Sequence, residues 1–564
     1  MTRRAILLFV LICFADSEPD KKWWNSASFY QVSPVSFKDS NNDGYGDIQG
    51  LIGNLNYIVD SGFDSLFLSP FYETPFKDYG YDISNYTAID PKFGNEADVD
   101  QLLLEARRHG LKVVVDFVPN HSSNEHEWFI NSENGIVGFE NFYIWHSGIP
   151  TDTSDRPLPP NGWESFYGGS SWQWSEKRQA YYYHAFGVMQ PDLNLREPSV
   201  LDELQKILLY WLQKGVDGFR IDAVSQLFED PNLVEDPLIH NNLNETYELV
   251  DQWRRLFDNY TITNGGEEKV LVPQVWESQL DALVNYFRNG NGDDLTQLPT
   301  NFIIINELHR NSRAADYKRT IDNYLTVLPE GAIANWFLGT HDHSRVASRM
   351  GPDRISGLTM LLLTLPGVAF TYSGDELLML DYRDISWKDT TDMWACNSNP
   401  IDYKMLSRDP NRTPFQWNGS INGGFNSGTP TWIPSHPNYV ENNLELQRNS
   451  PMSHYKYYKR LLQLRKHSAF VEGDFSSKIL SENVFAYSRS IDNATFLILI
   501  NVGNRSEIID TEVLNALNAG VKHDLKMVLV SPSSAFSEGD VAASDNVPME
   551  PFDALIAEIR MTNS

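Results

Sequence analysis

Residues 200–222 read VLDELQKILLYWLQKGVDGFRID and combine three elements in a fixed order. Apolar residues at helical spacing come first, Gly215 then suits the end of a helix, and a short β-rich run follows. The same order recurs in residues 51–68, 99–118 and 354–373. Four helix–turn–strand units with mostly apolar strands predict parallel strands that are covered by helices.

Two architectures place parallel strands between helices: a (β/α)8 barrel and a doubly wound sheet. No G-x-G-x-x-G or Walker-type loop follows any of these strands, which removes the usual nucleotide-binding reason for a doubly wound sheet. After His121 the helical periodicity disappears and aromatic residues, Gly and Pro become frequent, which predicts a small inserted subdomain. From about residue 470, short β runs separated by turn residues predict a C-terminal antiparallel β domain.

The composition limits what the protein can bind. The 564 residues include 45 Lys and Arg against 75 Asp and Glu, which gives a formal net charge of −30. Such a charge argues against nucleic-acid phosphates and anionic membrane surfaces, so we predict no nucleic-acid partner and no membrane partner. A neutral or cationic ligand fits better, and the 13% of aromatic residues favours flat apolar faces such as sugar rings.

The first seventeen residues have the features of a secretory signal peptide. Arg3 and Arg4 precede an apolar run of eleven residues that ends at Ala15, and a cleavage site follows after Ser17. We therefore expect a secreted, extracellular protein, whose mature chain keeps Cys396 as its one cysteine and forms no intrachain disulfide. Sequons occur at eight asparagines, of which six are predicted glycosylation sites: Asn85, Asn244, Asn259, Asn418, Asn493 and Asn504.

Polar side chains follow several predicted strands at their C-terminal ends, where barrel enzymes assemble their active sites. Three of them are carboxylates: Asp222 after GFRI, Glu277 after VLVPQVW, and Asp342 after ANWFLGTH. Glycosidic cleavage needs one ionised carboxylate as nucleophile and one protonated carboxyl group that donates to the leaving oxygen. A single Asp after a strand is more often a helix cap, but several such strand ends together favour a catalytic site.

Eight motif segments lie in order along most of the chain: FYQVSPVSFKDSNNDGYGDIQGL (29–51), YGYDISNYTAIDPKFG (79–94), VVVDFVPNHSS (113–123), QPDLN (190–194), GFRIDAV (218–224), WFLGTHDHSRVASR (336–349), LPGVAFTYSGDEL (365–377) and SRDPNRTPFQW (407–417). Together they resemble the α-amylase clan, glycoside hydrolase family thirteen. Within that clan the chain resembles the insect secreted α-glucosidases and maltases of the oligo-glucosidase group.

The resemblance implies a (β/α)8 TIM barrel built from residues 18–120 and 191–470, with an irregular insertion near 380–450. A subdomain of residues 121–190 is inserted after strand 3, and residues 471–564 form the C-terminal β domain. The implied activity is that of an exo-acting retaining α-glucosidase. Such an enzyme hydrolyses terminal α-1,4-linked glucose from maltose, sucrose and short oligosaccharides.

In the mechanism that the resemblance implies, Asp222 attacks the anomeric carbon and forms a glucosyl ester. Glu277 protonates the departing oxygen and then deprotonates water, while Asp342 supports the transition state. The two reacting carboxyl groups are expected ~5–5.5 Å apart. Val224 goes with a preference for α-1,4 over α-1,6 linkages. Substrate-binding roles carry over to six residues: Tyr81, Asp82, His121, Arg220, His341 and Arg412.

The segment that bears the proposed acid departs from the family pattern. It reads VWESQ, whereas the family usually has Glu-Ala-Tyr at this place. Glu267 and Glu268 are rival acids, but they lie in a Gly-Gly turn before the strand rather than after it. The sequence therefore favours Glu277.

The loop from Asp39 to Asp47 places oxygen donors at alternate positions, which hard cations require. We predict a structural Ca²⁺ (or Mg²⁺), as the family resemblance also implies, and no organic cofactor. An Asx-turn network without metal is the alternative. The predicted metal ligands are Asp39, Asn41, Asp43, Tyr45 through its carbonyl, and Asp47.

Two other functions stay open at this point. A non-catalytic relative that serves as a binding or transporter-associated surface would usually lack a catalytic carboxylate or carry a membrane span. A transglucosylase would pass the glucosyl ester to a sugar instead of water, and the two acceptors compete for the same intermediate. The sequence leaves the oligomeric state open between a monomer and a homodimer.

Overall fold

The computed structural model describes residues 22–152, 155–234, 241–276, 280–492, 494–511 and 523–561. The predicted signal peptide, Glu277 and the sequon asparagine Asn493 lie outside these described residues. The strands, in chain order, are β1 (Ser28–Val32), β2 (Ser65–Leu68), β3 (Tyr72–Glu73), β4 (Asn85–Ile89), β5 (Lys112–Phe117), β6 (Trp145–His146), β7 (Trp172–Ser175), β8 (Ala180–Tyr183), β9 (Gly218–Ile221), β10 (Val270–Pro273), β11 (Asn335–Phe337), β12 (Val368–Tyr372), β13 (Asp474–Ile479), β14 (Val484–Ile491), β15 (Ala494–Asn501), β16 (Glu507–Ile509), β17 (His523–Val530), β18 (Val541–Ala543), β19 (Val547–Met549) and β20 (Ala554–Met561).

Seven parallel strands form the central sheet, in the order β10-β9-β5-β2-β1-β12-β11. Residues 298–301 close the gap between its two ends. The amides of Leu298 and Thr300 donate to carbonyl oxygens of β10 at 3.2 and 2.9 Å, and the Asn301 amide donates to Oδ1 of Asn335 in β11 at 3.0 Å. The predicted (β/α)8 barrel is therefore confirmed, with its eighth side made by this irregular segment.

All four helix–turn–strand units found in the sequence form as predicted. Gly62 and Gly215 end their helices in the left-handed conformation, with φ of 109° and 103°, which a residue with a Cβ rarely adopts. No helix among the described residues has the length and apolar character needed to cross a membrane. The helices of ten or more residues are α1 (Glu96–Arg108), α2 (Pro198–Lys214), α3 (Asn244–Asn264), α4 (Ala314–Val327), α5 (Ile355–Thr364) and α6 (His454–Arg465). Shorter helical segments are Pro34–Phe37, Ile48–Ile52, Leu55–Ser61, Glu127–Glu133, Val224–Gln226, Leu280–Val284, Ile303–Glu307, Val346–Met350, Pro352–Arg354, Asp375–Leu377, Trp387–Asp389, Met393–Cys396, Tyr403–Leu406, Asp409–Asn411, Ile421–Gly424, Pro437–Val440, Leu444–Asn449 and Ser468–Val471.

Aromatic rings fill the lower part of the barrel interior. Phe370 stacks between Phe29 and Phe337, with ring centroids 4.5 and 4.3 Å apart, and Phe67 belongs to the same buried cluster. Side chains alternate along a strand, so the next inward positions lie two residues further toward the C-terminal end. There the inward side chains become polar, and this change of layer places the candidate site at the C-terminal end of the barrel.

Two further β structures accompany the barrel. The inserted segment after β5 contains a three-stranded antiparallel sheet in the order β6-β8-β7, with Trp163, Trp172 and Tyr183 in its aromatic core. A six-stranded antiparallel sheet, β13-β14-β15-β20-β17-β18, forms the predicted C-terminal β domain. The segment near 380–450 has short helical turns and no strand among its residues, all of which are described.

Candidate active site

A cleft of ≈ 350 Å³ opens at the C-terminal end of the barrel. The barrel strands supply its floor, and the inserted subdomain and the 380–450 segment supply its walls. The lining residues are Asp78, Tyr81, His121, Tyr167, Phe186, Gln190, Asp222, Ala223, Gln274, Trp276, His341, Asp342 and Arg408.

Asp222 stands directly after β9 on the floor of the cleft. Its Oδ1 lies 2.8 Å from Nη1 of Arg220, two residues earlier on the same inward face of the strand. Burial raises the pKa of Asp222 to about 7, and the negative charges of Asp116 and Asp342 add to the effect, while Arg220 opposes it. The next residue, Ala223, has φ of 49°, so the chain turns sharply once the carboxylate has been placed.

Asp342 follows β11 and is surrounded by cationic and hydrogen-bonding groups. Its Oδ1 lies 3.0 Å from Nη1 of Arg408 and 3.0 Å from Nη2 of Arg412, while its Oδ2 lies 3.1 Å from Nε2 of His341. Burial alone would raise the pKa of Asp342, but these three neighbours hold it far below its usual range. Asp342 is therefore held in its ionised form.

His341 is held as a neutral imidazole with a defined tautomer. Burial lowers its pKa well below the usual value. The Gln31 amide nitrogen lies 2.9 Å from Nδ1 and donates to it, so the proton resides on Nε2 and is donated to Asp342. The imidazole stacks against Tyr81 at a centroid distance of 5.3 Å and against Tyr79 at 5.8 Å.

Arg408 joins three carboxylates at one wall of the cleft. Its guanidinium lies 3.0 Å from Asp342 and 3.1 Å from Asp78, and it also pairs with the buried Asp392. Asp78 accepts further hydrogen bonds from the Tyr167 hydroxyl at 2.8 Å and from another cleft side chain, Gln190. This network closes that wall with charged groups whose hydrogen bonds are largely internal.

Aromatic side chains from both insertions cover the same wall. Trp394 lies against Arg408, with the guanidinium carbon 4.9 Å from its ring centroid, and its Nε1 donates to the Phe166 carbonyl at 2.6 Å. Phe186 packs on Phe166 and on His121, with centroids 5.1 and 5.2 Å apart. The inserted subdomain and the 380–450 segment are thus joined directly at the cleft.

The structure brings five of the predicted site residues together at the cleft: Tyr81, His121, Asp222, His341 and Asp342. Arg220 lies beneath them and pairs with Asp222. Burial lowers the pKa of His121 to about 4, so this ring is neutral at physiological pH and offers hydrogen bonds without charge.

Asp82, predicted to bind substrate, does not line the cleft. Its carboxylate accepts the backbone N–H groups of Lys77 and Asp78 and the hydroxyl of Thr74, so its oxygens hold the loop in shape. The carboxylate that faces the cleft is Asp78, four residues earlier in the same loop. The substrate-binding role of Asp82 stays a prediction, and the structure adds Asp78 as the carboxylate of this loop that lines the cleft.

Arg412 also lies behind the cleft rather than in its lining. It bonds the Asp342 carboxylate and the His341 carbonyl oxygen, and thereby positions Asp342. Arg408, from the same SRDPNRTPFQW segment, is the arginine that lines the cleft. Both arginines were visible in the segment, and only the fold distinguishes the one that faces the ligand.

Glu267 and Glu268, the rival acids, are excluded by their place in the fold. Both precede β10 and lie at the opposite end of the barrel from the cleft. Glu268 pairs with Arg254 at 2.6 Å and with Lys22 at 2.6 Å. Glu277 lies outside the described residues, so its assignment as the acid stays a prediction.

The predicted metal loop is held together by its own hydrogen bonds. Asp39 accepts the amides of Asn42 and Gly44, and Asp43 accepts the amide of Tyr45. Asp47 caps the helix that follows by accepting the Gly50 amide. Within the described ranges, no three His, Cys, Asp or Glu side chains converge so that they could hold a metal.

A cation at this loop would therefore need oxygens that are not carboxylates. The Asn41 amide oxygen and the Tyr45 carbonyl supply such donors beside Asp39 and Asp43, and this donor chemistry fits a hard cation. The Ca²⁺ site stays a prediction on these grounds.

The sequon asparagines differ in exposure. The side chains of Asn85, Asn244, Asn259 and Asn504 are exposed, and that of Asn418 is half-buried. Asn120 and Asn411, the two sequons without a glycosylation prediction, are each 2% exposed and therefore inaccessible. Cys396 is exposed and is the free cysteine among the described residues.

Comparison with known proteins agrees with this geometry. The family model described as the alpha amylase catalytic domain matches residues 31–473. The chain belongs to the α-amylase family. This α-amylase-family chain is 43% identical over 555 residues to Maltase 1 of Drosophila virilis, covering 95% of this chain and 87% of that protein.

Two further proteins show how far the similarity extends. The α-amylase-family chain is 40% identical over 503 residues to the salivary alpha-glucosidase of Anopheles gambiae, covering 85% and 84% of the two chains. Among solved structures, the trehalulose synthase MutB from Pseudomonas mesoacidophila MX-45 superimposes with a TM-score of 0.85 at 29% identity. That match covers 96% of this chain and 100% of the other.

Proposed function

We propose that this chain hydrolyses α-glucosides, removing terminal α-1,4-linked glucose from maltose, sucrose and short oligosaccharides. The observation that carries the proposal is the pair of carboxylates on the cleft floor, Asp222 and Asp342, which have opposite electrostatic environments. Insect maltases and α-glucosidases among the relatives support α-glucoside hydrolysis at the level of the family.

In the proposed double displacement, an Asp222 oxygen attacks C1 of the bound glucose and the bond from C1 to the leaving oxygen breaks. The resulting β-glucosyl ester is then attacked at C1 by water, which releases α-glucose and restores the carboxylate. Arg220, 2.8 Å from Asp222, favours the ionised nucleophile. Protonation of the leaving oxygen is the role that the sequence assigns to Glu277.

Asp342 supplies a permanent negative charge beside the reacting carbon. Because three neighbours keep it ionised, it can stabilise the positive charge that develops on the sugar ring without taking a proton from it. His341 and His121 are neutral and offer hydrogen bonds to sugar hydroxyls without repelling that charge.

The closed wall supports exo-action on a small neutral substrate. Arg408 bridges Asp78 and Asp342, and Trp394 covers the bridge from outside. A second sugar beyond the non-reducing end would have to separate charges that are already paired, at a high desolvation cost. The linkage preference implied by Val224 belongs to the same proposal.

The test is a trapping experiment on the whole chain. Incubation with 5-fluoro-α-glucosyl fluoride should add one fluoroglucosyl group, located on Asp222 by peptide mass spectrometry. Asp222→Asn should lose the label and at least about 10³-fold of turnover, with an unchanged circular dichroism spectrum. A label on another carboxylate, or undiminished activity in the folded variant, would refute the nucleophile assignment.

Transfer of glucose to a second sugar is the alternative outcome, because a trehalulose synthase superimposes on the chain with a TM-score of 0.85. Product analysis with sucrose separates the two. Glucose plus fructose indicates hydrolysis, and isomers or longer saccharides indicate transfer.

We also propose that the chain is secreted, is glycosylated on its exposed sequons, carries the Ca²⁺ (or Mg²⁺) and acts as a monomer or homodimer. Support for secretion comes from the signal-like residues 1–17 and from the salivary relative.

A further inference from the structure

The residue that stands opposite the nucleophile on the neighbouring strand is an amide. Strands β9 and β10 pair in parallel with Arg220 opposite Val272 and Ile221 opposite Pro273. Continuing this register by one residue places Asp222 opposite Gln274. The backbone N–H of Gln274 donates to the carbonyl oxygen of Ile221 at 2.9 Å, so the strand pairing extends to this position.

The alternation of side chains points Gln274 into the barrel. Val270 and Val272 belong to the buried cluster inside the barrel, and the next inward position on β10 is Gln274. It lines the cleft together with Asp222 and is 2% exposed. Its Oε1 is buried and has no hydrogen-bond partner among the described residues. A buried amide oxygen without a hydrogen-bond partner lowers the stability of the fold, so its presence here indicates a role in the site.

The spacing of this position is the one that retaining glycosidases need. Adjacent strands lie about 4.8 Å apart, and the two reacting carboxyl groups of a retaining enzyme lie ~5–5.5 Å apart. A register-matched residue on β10 therefore has its backbone at a comparable separation from that of Asp222, and its side chain faces the same cleft. In this chain that residue is Gln274.

The sequence around β10 fits the same assignment. The strand ends at Pro273, and Gln274 follows it directly, as Asp222 directly follows β9. Gln274-Val275-Trp276 also matches the Glu-Ala-Tyr pattern in its order of an acid-sized polar residue, a small apolar residue and an aromatic residue.

We propose that Gln274 occupies the proton-donor position, so that the chain cleaves glucosides according to how readily their leaving groups depart unprotonated. This inference rests on the proposed function, since it concerns the first step of that reaction. The carboxamide can donate a hydrogen bond to the leaving oxygen, but it has no proton to transfer. The preferred substrates of the chain are therefore glucosides with acidic leaving groups.

With α-glucosyl fluoride the chemistry balances without an acid. Asp222 forms a bond to C1, the C1–F bond breaks, and fluoride leaves with the electron pair. Added azide then attacks C1 of the ester, the bond from C1 to the Asp222 oxygen breaks, and α-glucosyl azide leaves with the carboxylate restored. Neither half-reaction requires a proton from the protein.

The experiment measures kcat/KM for maltose and for α-glucosyl fluoride with three proteins: the native chain, Gln274→Glu and Gln274→Met. Gln274→Met is the matched control, because it removes the amide without adding a carboxyl group. Gln274→Glu should raise kcat/KM for maltose by about 10²–10⁴-fold, the size of a general-acid contribution. It should change kcat/KM for the fluoride by less than about tenfold. Gln274→Met should give no gain on maltose.

A second measurement needs no variant. For the native chain, log kcat/KM across aryl α-glucosides should fall steeply with the pKa of the leaving phenol, and azide should yield α-glucosyl azide from the fluoride. Three results together would overturn the inference. The native chain would have comparable kcat/KM on maltose and on the fluoride, Gln274→Glu would show no gain, and Glu277→Gln would lose about 10²–10⁴-fold on maltose. Failure of the native chain and of Gln274→Glu to consume either substrate would instead overturn the proposed function.

Discussion

Asp116 and Asp222 share one nitrogen atom: Nη1 of Arg220 lies 2.8 Å from an Oδ1 of each carboxylate. Asp116 also accepts the Tyr81 hydroxyl at 2.7 Å and is completely buried. One positive charge thus serves two buried acids. Burial raises the pKa of Asp116 to about 6 and that of Asp222 to about 7, and the shared cation offsets only part of this.

The pH dependence of turnover follows from this sharing. Only ionised Asp222 can attack, so kcat/KM for an activated glucoside should rise about tenfold per pH unit up to about 7 and then level off. In Asp116→Asn the Arg220 guanidinium pairs with Asp222 as its one carboxylate, so the pKa of Asp222 should fall. The rising part of the pH profile should then move to lower pH. Initial-rate profiles of both proteins test the prediction. A native limb near the usual carboxyl pKa, or no shift in the variant, would contradict it.

The same pKa makes a prediction about stability. The pKa of Asp222 is about 7 when folded against 3.8 as its ordinary value, so between these values the folded state binds more protons. Stability is therefore lost as the pH rises from about 4 to about 7, and the full cost is present above 7. Asp222→Asn should gain of the order of 1–4 kcal/mol at pH 8, and little near pH 4.

Thermal melts of Asp222→Asn and the native chain at several pH values between 4 and 8 check this sign. Asparagine keeps an acceptor oxygen for Arg220 and removes only the charge. A variant that is less stable than the native chain at pH 8, with the difference shrinking toward pH 4, would mean that the Arg220 pairing outweighs burial.

The four helix–turn–strand units were sufficient to predict parallel strands covered by helices, and the family resemblance selected the barrel over a doubly wound sheet. Asp222 directly follows β9 and Asp342 lies in the loop after β11, and both line the cleft, as their places near strand ends in the sequence predict. It did not distinguish Asp78 from Asp82, because both lie in one loop and only the folded loop shows which carboxylate its backbone amides occupy. Strand registers are long-range facts too, so the pairing of Gln274 with Asp222 required the structure.

Arg408 is expected to hold the cleft wall together. Arg408→Ala would leave Asp78, Asp342 and Asp392 without their shared cation, and loss of one partner of a buried ion pair costs about 3–5 kcal/mol. KM for a small glucoside should rise at least about tenfold, since Asp78 lines the cleft. Arg408→Lys should be intermediate, because one ammonium cannot reach three carboxylates.

A matched control lies in the same segment. Arg383 pairs with Asp381 but its side chain is 45% exposed, so Arg383→Ala should change stability by no more than about 1 kcal/mol. Chemical denaturation and steady-state kinetics on the three variants separate the two arginines. Equal changes in stability and KM in Arg408→Ala and Arg383→Ala would show that the cleft wall does not depend on the buried ion pairs of Arg408.

The cation proposed for the 39–47 loop should act on stability and not on chemistry. The loop is tied to the 380–450 segment, because the Asn426 amide donates to Asp39 at 2.9 Å and the Trp432 amide donates to the Gly44 carbonyl at 2.9 Å. A Ca²⁺ ion held there would stabilise this contact by about 2.7 kcal/mol at 100 times its Kd. Thermal melts with added Ca²⁺ or EDTA measure the effect.

Asp43→Asn keeps the Asx turn but removes a charge from the ligand set, so it should weaken the Ca²⁺-dependent shift in melting temperature. The control variant Asp402→Asn, at an exposed position, should retain this shift in full. A shift of native size in Asp43→Asn would place the ion elsewhere, and no shift in the native chain would leave the loop as a hydrogen-bonded turn without metal.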